Sequence, residues 1–156
     1  MNFEQRCTVS TSRERLWQFL MDVPRVGACV PGVASVTPSG DSTYRGIMQV
    51  RVGPVSLNLA GQVTVTEMNR DEWRAALHAE ATVRRVAGGV NARLTMVLKE
   101  LDSQQTELCI QAEVRLLGKL GEFGQPLIRR KADATMQEFA RNLSQRILQG
   151  GEAQKT

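Results

Sequence analysis

Phe3, Gln5, Cys7 and Val9 alternate with Glu4, Arg6 and Thr8. A period of two predicts a first strand with one mostly apolar face. Thr11 and Glu14 then stand three apart, the spacing of a capping box that starts a helix. Leu16, Phe19, Leu20 and Val23 supply that helix with a stripe for burial. Pro24 ends it or restarts it as a second short helix. Val30-Pro31-Gly32 closes the helical stretch with turn residues.

Alternation resumes for the next eighty or so residues, in five or six strands. Tyr44, Met48, Val50 and Val52 face one way, with Arg45, Gln49 and Arg51 between them. After the Gly53-Pro54 turn, Val55, Leu57, Leu59, Val63 and Val65 form a long inward row. Trp73, Ala75, Leu77, Ala79 and Ala81 make the next row, then Val90, Ala92, Leu94, Met96 and Leu98, then Leu108, Ile110, Ala112, Val114 and Leu116. Short turns between successive strands predict an antiparallel meander with one solvated face.

A glycine-punctuated connection, Gly118 to Gly124, leads into one long amphipathic helix from about Glu122 to Leu148. Ile128, Ala132, Met136, Phe139, Leu143 and Ile147 form its inward stripe. The expected domain is residues 1–149, with a flexible polar tail over 150–156. The inward strand rows are rich in small residues, including Ala75, Ala79, Ala81, Ala92, Ala112, Gly46 and Gly61. Such a sheet facing a single helix leaves volume that a ligand fills or that Trp73, Phe123 and Phe139 plug. The pattern by itself leaves both outcomes open. Met48, Met96 and Met136 would suit an irregular apolar guest.

Composition narrows the function classes. With 156 residues the chain is long enough to bury a core without a disulfide or metal staple. Cys7, Cys29 and Cys109 are an odd number, widely spaced, as in a reduced intracellular protein. No apolar run reaches the length of a membrane span, and the first residues lack a signal-peptide layout, so the expected location is cytoplasmic. A net charge of +4 with 4% aromatic residues supplies no stacking platforms for nucleic acid.

Candidate chemistry is sparse. The single histidine, His78, falls on the outward phase of a strand. The cysteines have neither zinc spacing nor a histidine partner. Gly118-x-x-Gly121-x-x-Gly124 is neither a Rossmann nor a Walker fingerprint and reads as a hinge, with Leu120 and Phe123 as candidate lid residues. Arg129-Arg130-Lys131 opens the last helix, as a solvated basic turn or as a docking point for anionic lipid or an acidic enzyme surface. No catalytic residue, metal site or cofactor is expected.

Several stretches resemble a known family. They are Leu16-Trp17-Gln18-Phe19-Leu20-Met21-Asp22, Val30-Pro31-Gly32, Tyr44-Arg45-Gly46 through Val50-Arg51-Val52-Gly53-Pro54 to Ala60-Gly61, and Leu117-Gly118-Lys119-Leu120-Gly121-Glu122-Phe123-Gly124. In these the chain resembles the CoxG family (the G subunit of carbon monoxide dehydrogenase) of the START-like, helix-grip superfamily SRPBCC. The resemblance implies an α+β helix-grip fold: two short helices after the first strand, and a curved seven-stranded antiparallel sheet wrapped around the C-terminal helix and a hydrophobic tunnel. It also implies an accessory role toward a molybdenum-containing CO dehydrogenase, as a quinone carrier or a membrane attachment. Many members continue into a linker and a membrane-binding tail, which this sequence, ending at Thr156, does not include.

The expectation is therefore a non-enzymatic carrier holding a quinone or lipid between sheet and last helix, with peripheral membrane contact. Its expected cavity residues are Met48, Val50, Leu59, Trp73, Leu77, Met96, Leu98, Leu120, Phe123 and Met136. Arg129, Arg130 and Lys131 are the expected partner or membrane contacts. The alternatives are a solid-core adaptor that recruits or matures the enzyme, and a small cyclase or hydrolase using Tyr44 or His78.

Overall fold

The computed structural model describes residues 1–155, with side chains through Gln149. The tail expected over 150–156 lies outside the residues whose side chains are described. Strand β1 (Asn2–Val9) is followed by α1 (Arg13–Leu20) and α2 (Val23–Gly27). Six more strands follow: β2 (Val33–Gly40), β3 (Thr43–Val52), β4 (Val55–Asn69), β5 (Arg74–Val83), β6 (Gly88–Asp102) and β7 (Gln105–Gly118). A 3-10 turn over Lys119–Glu122 leads into α3 (Gln125–Lys155).

All seven strands form one antiparallel sheet in the order β1-β7-β6-β5-β4-β3-β2. From β2 to β7 the chain is a simple meander, as the short turns require. The helical excursion α1–α2 carries the chain from one sheet edge to the other. Strand β4 has 15 residues and would run about 50 Å if straight, longer than a domain of this size is wide, so it must bend. A register shift between Val65 and Glu67 supplies one bend. Gly61 marks a close approach of β5, because a Cβ there would stand 2.3 Å from the Glu80 carbonyl oxygen. Its partner across β3 is Gly46, so two strands cross this point without side chains.

The apolar interior divides in two. In one half, α1 and the C-terminal part of α3 pack on β6 and β7 through Leu16, Phe19, Met96, Leu98, Leu108, Ile110, Phe139, Leu143 and Ile147. In the other, Leu120 of the 3-10 turn packs with Val52, Leu57 and Val83.

Four local expectations are corrected. The cap of α1 is Ser12, whose side chain accepts from the Arg15 amide at 3.3 Å, and not a Thr11–Glu14 box. Thr11 is buried instead; its carbonyl accepts from the Thr106 hydroxyl at 2.9 Å while its own hydroxyl has no partner. The long helix begins at Gln125 and not at Glu122, because Lys119–Glu122 is wound as the separate 3-10 turn. Trp73 precedes β5 in a left-handed turn conformation, φ 56°, and is not part of the strand row. Finally β2, which no run of alternation singled out, is an edge strand with Pro38 inside it and mostly exposed side chains.

Candidate functional site

An apolar recess of about 260 Å³ lies between the two packed halves. The sheet contributes Phe3 of β1, Val50 and Val52 of β3, Leu57 and Leu59 of β4, Val90 and Leu94 of β6, and Ala112, Val114 and Leu116 of β7. Helix α3 covers it with Ile128, Ala132 and Met136, one helical turn apart, and Leu120 closes the end beneath the 3-10 turn. Among the described residues Lys131 and Thr135 are its only polar lining residues. The recess persists because the covering residue at the middle of the α3 stripe is Ala132 and the facing residue on β7 is Ala112, which leave the space a larger side chain would occupy.

A second, polar hollow of about 360 Å³ adjoins it, sharing Val50, Lys131 and Thr135 and adding Gly32, Gln49, Arg51 and Ser56. A larger depression, about 880 Å³, lies on the outward phase of the sheet at the paired Gly46 and Gly61, among Arg45, Ile47, Gln62, Glu80 and Asn91. No α3 residue borders it, and it is open and polar-rimmed, so size alone does not make it the better site.

Of the ten residues expected at a cavity, Val50, Leu59, Leu120 and Met136 meet in the recess. Met48 lines the polar hollow beside it. Leu77 pairs with Leu94, one strand away from the lining, and Phe123 packs against the cluster around Leu120. Met96, Leu98 and Trp73 belong to the solid half. Trp73 stands edge-on to Trp17 at 5.9 Å, with the guanidinium groups of Arg70 and Arg13 over its ring at 3.6 and 4.2 Å. Phe3, Leu94, Ala112, Ile128 and Ala132 line the recess without having been picked out, although the alternation or helical stripe had already turned most of them inward.

The three consecutive cations of α3 diverge, as helix geometry demands. Arg129 donates to the Asn2 carbonyl at 3.1 Å and lies over Phe3 at 4.9 Å, which ties α3 to the β1 edge. Arg130 is exposed, and Lys131 turns to the recess. They do not form one docking face.

The groups that could carry chemistry stand elsewhere. His78 is partly exposed, 3.7 Å from Glu80, and borders neither the recess nor the polar hollow. All three thiols are pushed above the usual cysteine range, chiefly by burial. Cys29 donates to the Arg25 carbonyl at 3.6 Å, and Cys109 to the Glu107 carboxylate at 3.3 Å, whose charge also holds that proton on. Among the described residues no group of three or more His, Cys, Asp or Glu could hold a metal ion. Among them, too, no helix is long and apolar enough to cross a membrane.

No curated protein matches the chain by sequence. Solved structures match its fold. A conserved protein from Geobacillus kaustophilus superposes with a TM-score of 0.86 at 20% identity, covering 96% of each chain. A START superfamily protein from Mycobacterium smegmatis gives 0.70 at 14% identity, over 95% of this chain and 97% of that one. The Zhui aromatase/cyclase from Streptomyces sp. R1128 gives 0.68 at 14% identity, over 94% and 93%. A seven-stranded antiparallel sheet closed by a long C-terminal helix, shared with these START-like proteins, is the helix-grip fold. The family model for CoxG, the G subunit of carbon monoxide dehydrogenase, matches residues 6–148, nearly the whole of that sheet and helix, and the chain belongs to the CoxG family.

Proposed function

We propose that this protein is a non-catalytic carrier, one domain over residues 1–149, that holds a quinone or lipid between its sheet and α3 and serves a molybdenum hydroxylase of the CO dehydrogenase type. The observation that carries the reading is the recess: apolar on nearly every side, between two packed cores, with no titratable group but Lys131 on its wall. Burial of apolar surface there contributes roughly 25 cal/mol per Å². At 260 Å³ the recess lies just below the ~300–1,000 Å³ typical of small-molecule sites. It encloses a ring or a short chain, and a longer isoprenoid tail would leave past Leu120 and Phe123. The family supports the enzyme as partner. The thiols, held protonated by burial and in two cases hydrogen-bonded, and the outlying His78 support occupancy over turnover. The proposal puts the protein in the cytoplasm, touching a membrane only peripherally when it loads.

Native mass spectrometry of the purified protein, followed by solvent extraction, tests this. The expected result is a bound apolar molecule that is lost in Val50→Asp, where an unpaired carboxylate would enter the recess. A wild-type protein that takes up neither quinones nor lipids would overturn it.

A further inference from the structure

A polar hollow adjoins the recess, with Val50, Lys131 and Thr135 lining both spaces. Arg51 of β3, an exposed residue, also lines the hollow. Among the described residues no Asp or Glu lines either space, and neither Lys131 nor Arg51 has an ion-pair partner. The Thr135 hydroxyl donates to the Lys131 carbonyl at 2.8 Å, so its proton is committed to the helix; the recess wall is almost wholly carbon, so Lys131 meets it with its alkyl stem and its ammonium is left to donate from the hollow side. A cation at the edge of an apolar wall, without a counter-charge of its own, favours an anionic oxygen.

Resting on the reading of the recess as a ligand site, we infer that recess and hollow form one site for an amphiphile with an anionic head. Its carboxylate-type oxygens meet Lys131, with Arg51 as the second cation, and its chain runs toward Leu120. A recess of about 260 Å³ suits a chain of medium length. The head would then sit in the hollow.

Sodium decanoate and 1-decanol share one chain and differ in the charge of the head. Isothermal titration of the solvent-extracted protein at neutral pH compares them. Wild type is expected to bind decanoate at least about tenfold more tightly than decanol, the scale of one charge-assisted hydrogen bond. Lys131→Met should bring the two within about twofold while keeping the melting temperature, and Lys131→Arg should keep the preference. Equal binding of the two by wild type, or a preference that persists in Lys131→Met combined with Arg51→Gln, would overturn the assignment of the head while leaving the carrier reading in place. Binding of neither would overturn the head assignment as well, while the carrier reading is decided separately by the uptake of quinones and lipids.

Discussion

Replacing Ala132 by leucine separates a hollow interior from a packed one by the sign of the stability change. Ala132 lies on the α3 stripe over the recess and is only partly exposed. The change adds three carbons, each contributing about 0.8 kcal/mol if fully buried in existing space. With the partial exposure of this position, the expected gain is about 1–2 kcal/mol. In a chain of this length that raises Tm by ~3–6 °C. The helix propensities of Ala and Leu differ too little to account for it. The control is Ala75→Leu, in the solid half against α1 and α3, where overpacking should cost about 1–3 kcal/mol. Thermal and urea unfolding of solvent-extracted protein measures both, and titration with decanol should show that Ala132→Leu has lost most of its affinity. A destabilised Ala132→Leu, losing as much as Ala75→Leu, would mean that the recess has no room for three carbons, and the reasoning would fail.

Leu143→Ala, at a fully buried point where α3 meets the sheet, should cost about 2–5 kcal/mol in urea unfolding. Thr11→Val should be neutral or stabilising because the Thr11 hydroxyl is buried without a partner, whereas Ser12→Ala should cost about 0.5–2 kcal/mol as a lost helix cap. Cys7, Cys29 and Cys109 hold their protons more tightly folded than unfolded, so the stability they contribute is complete below the ordinary thiol value of 9.0 and is lost as pH rises through the raised folded values. Urea midpoints should therefore fall above about pH 9, and fall less in a Cys7→Ala, Cys29→Ala variant. Gly61→Ala should destabilise strongly and lower expression, because its Cβ would meet the Glu80 carbonyl and Ala81.

Period-two alternation from Tyr44 to Leu116 was enough to read five strands, their turns and their inward faces, because each strand has one wet side. The same rule missed β2: an edge strand with Pro38 inside it buries too little to show a period. The helix start was misplaced by the same kind of gap. Thr11 and Ser12 are chemically equivalent caps, and only the tertiary contact of Thr11 with Thr106 decides which one turns inward.

For the site, the sequence determined which face of each strand and of α3 is apolar, since that follows from local periodicity alone. It could not determine the level along that face. Val50, Leu59 and Met136 come together in the recess while Met96 and Leu98 are used up in the packed half. That division depends on the strand register, on the irregularity between Val65 and Glu67, and on where α1 and α3 land. These are sums of many weak contacts between residues far apart in the chain, and no window of sequence contains them. The fate of Lys131 makes the same point: its neighbours Arg129 and Arg130 read alike in one dimension, but a turn of 100° per residue gives each a different environment.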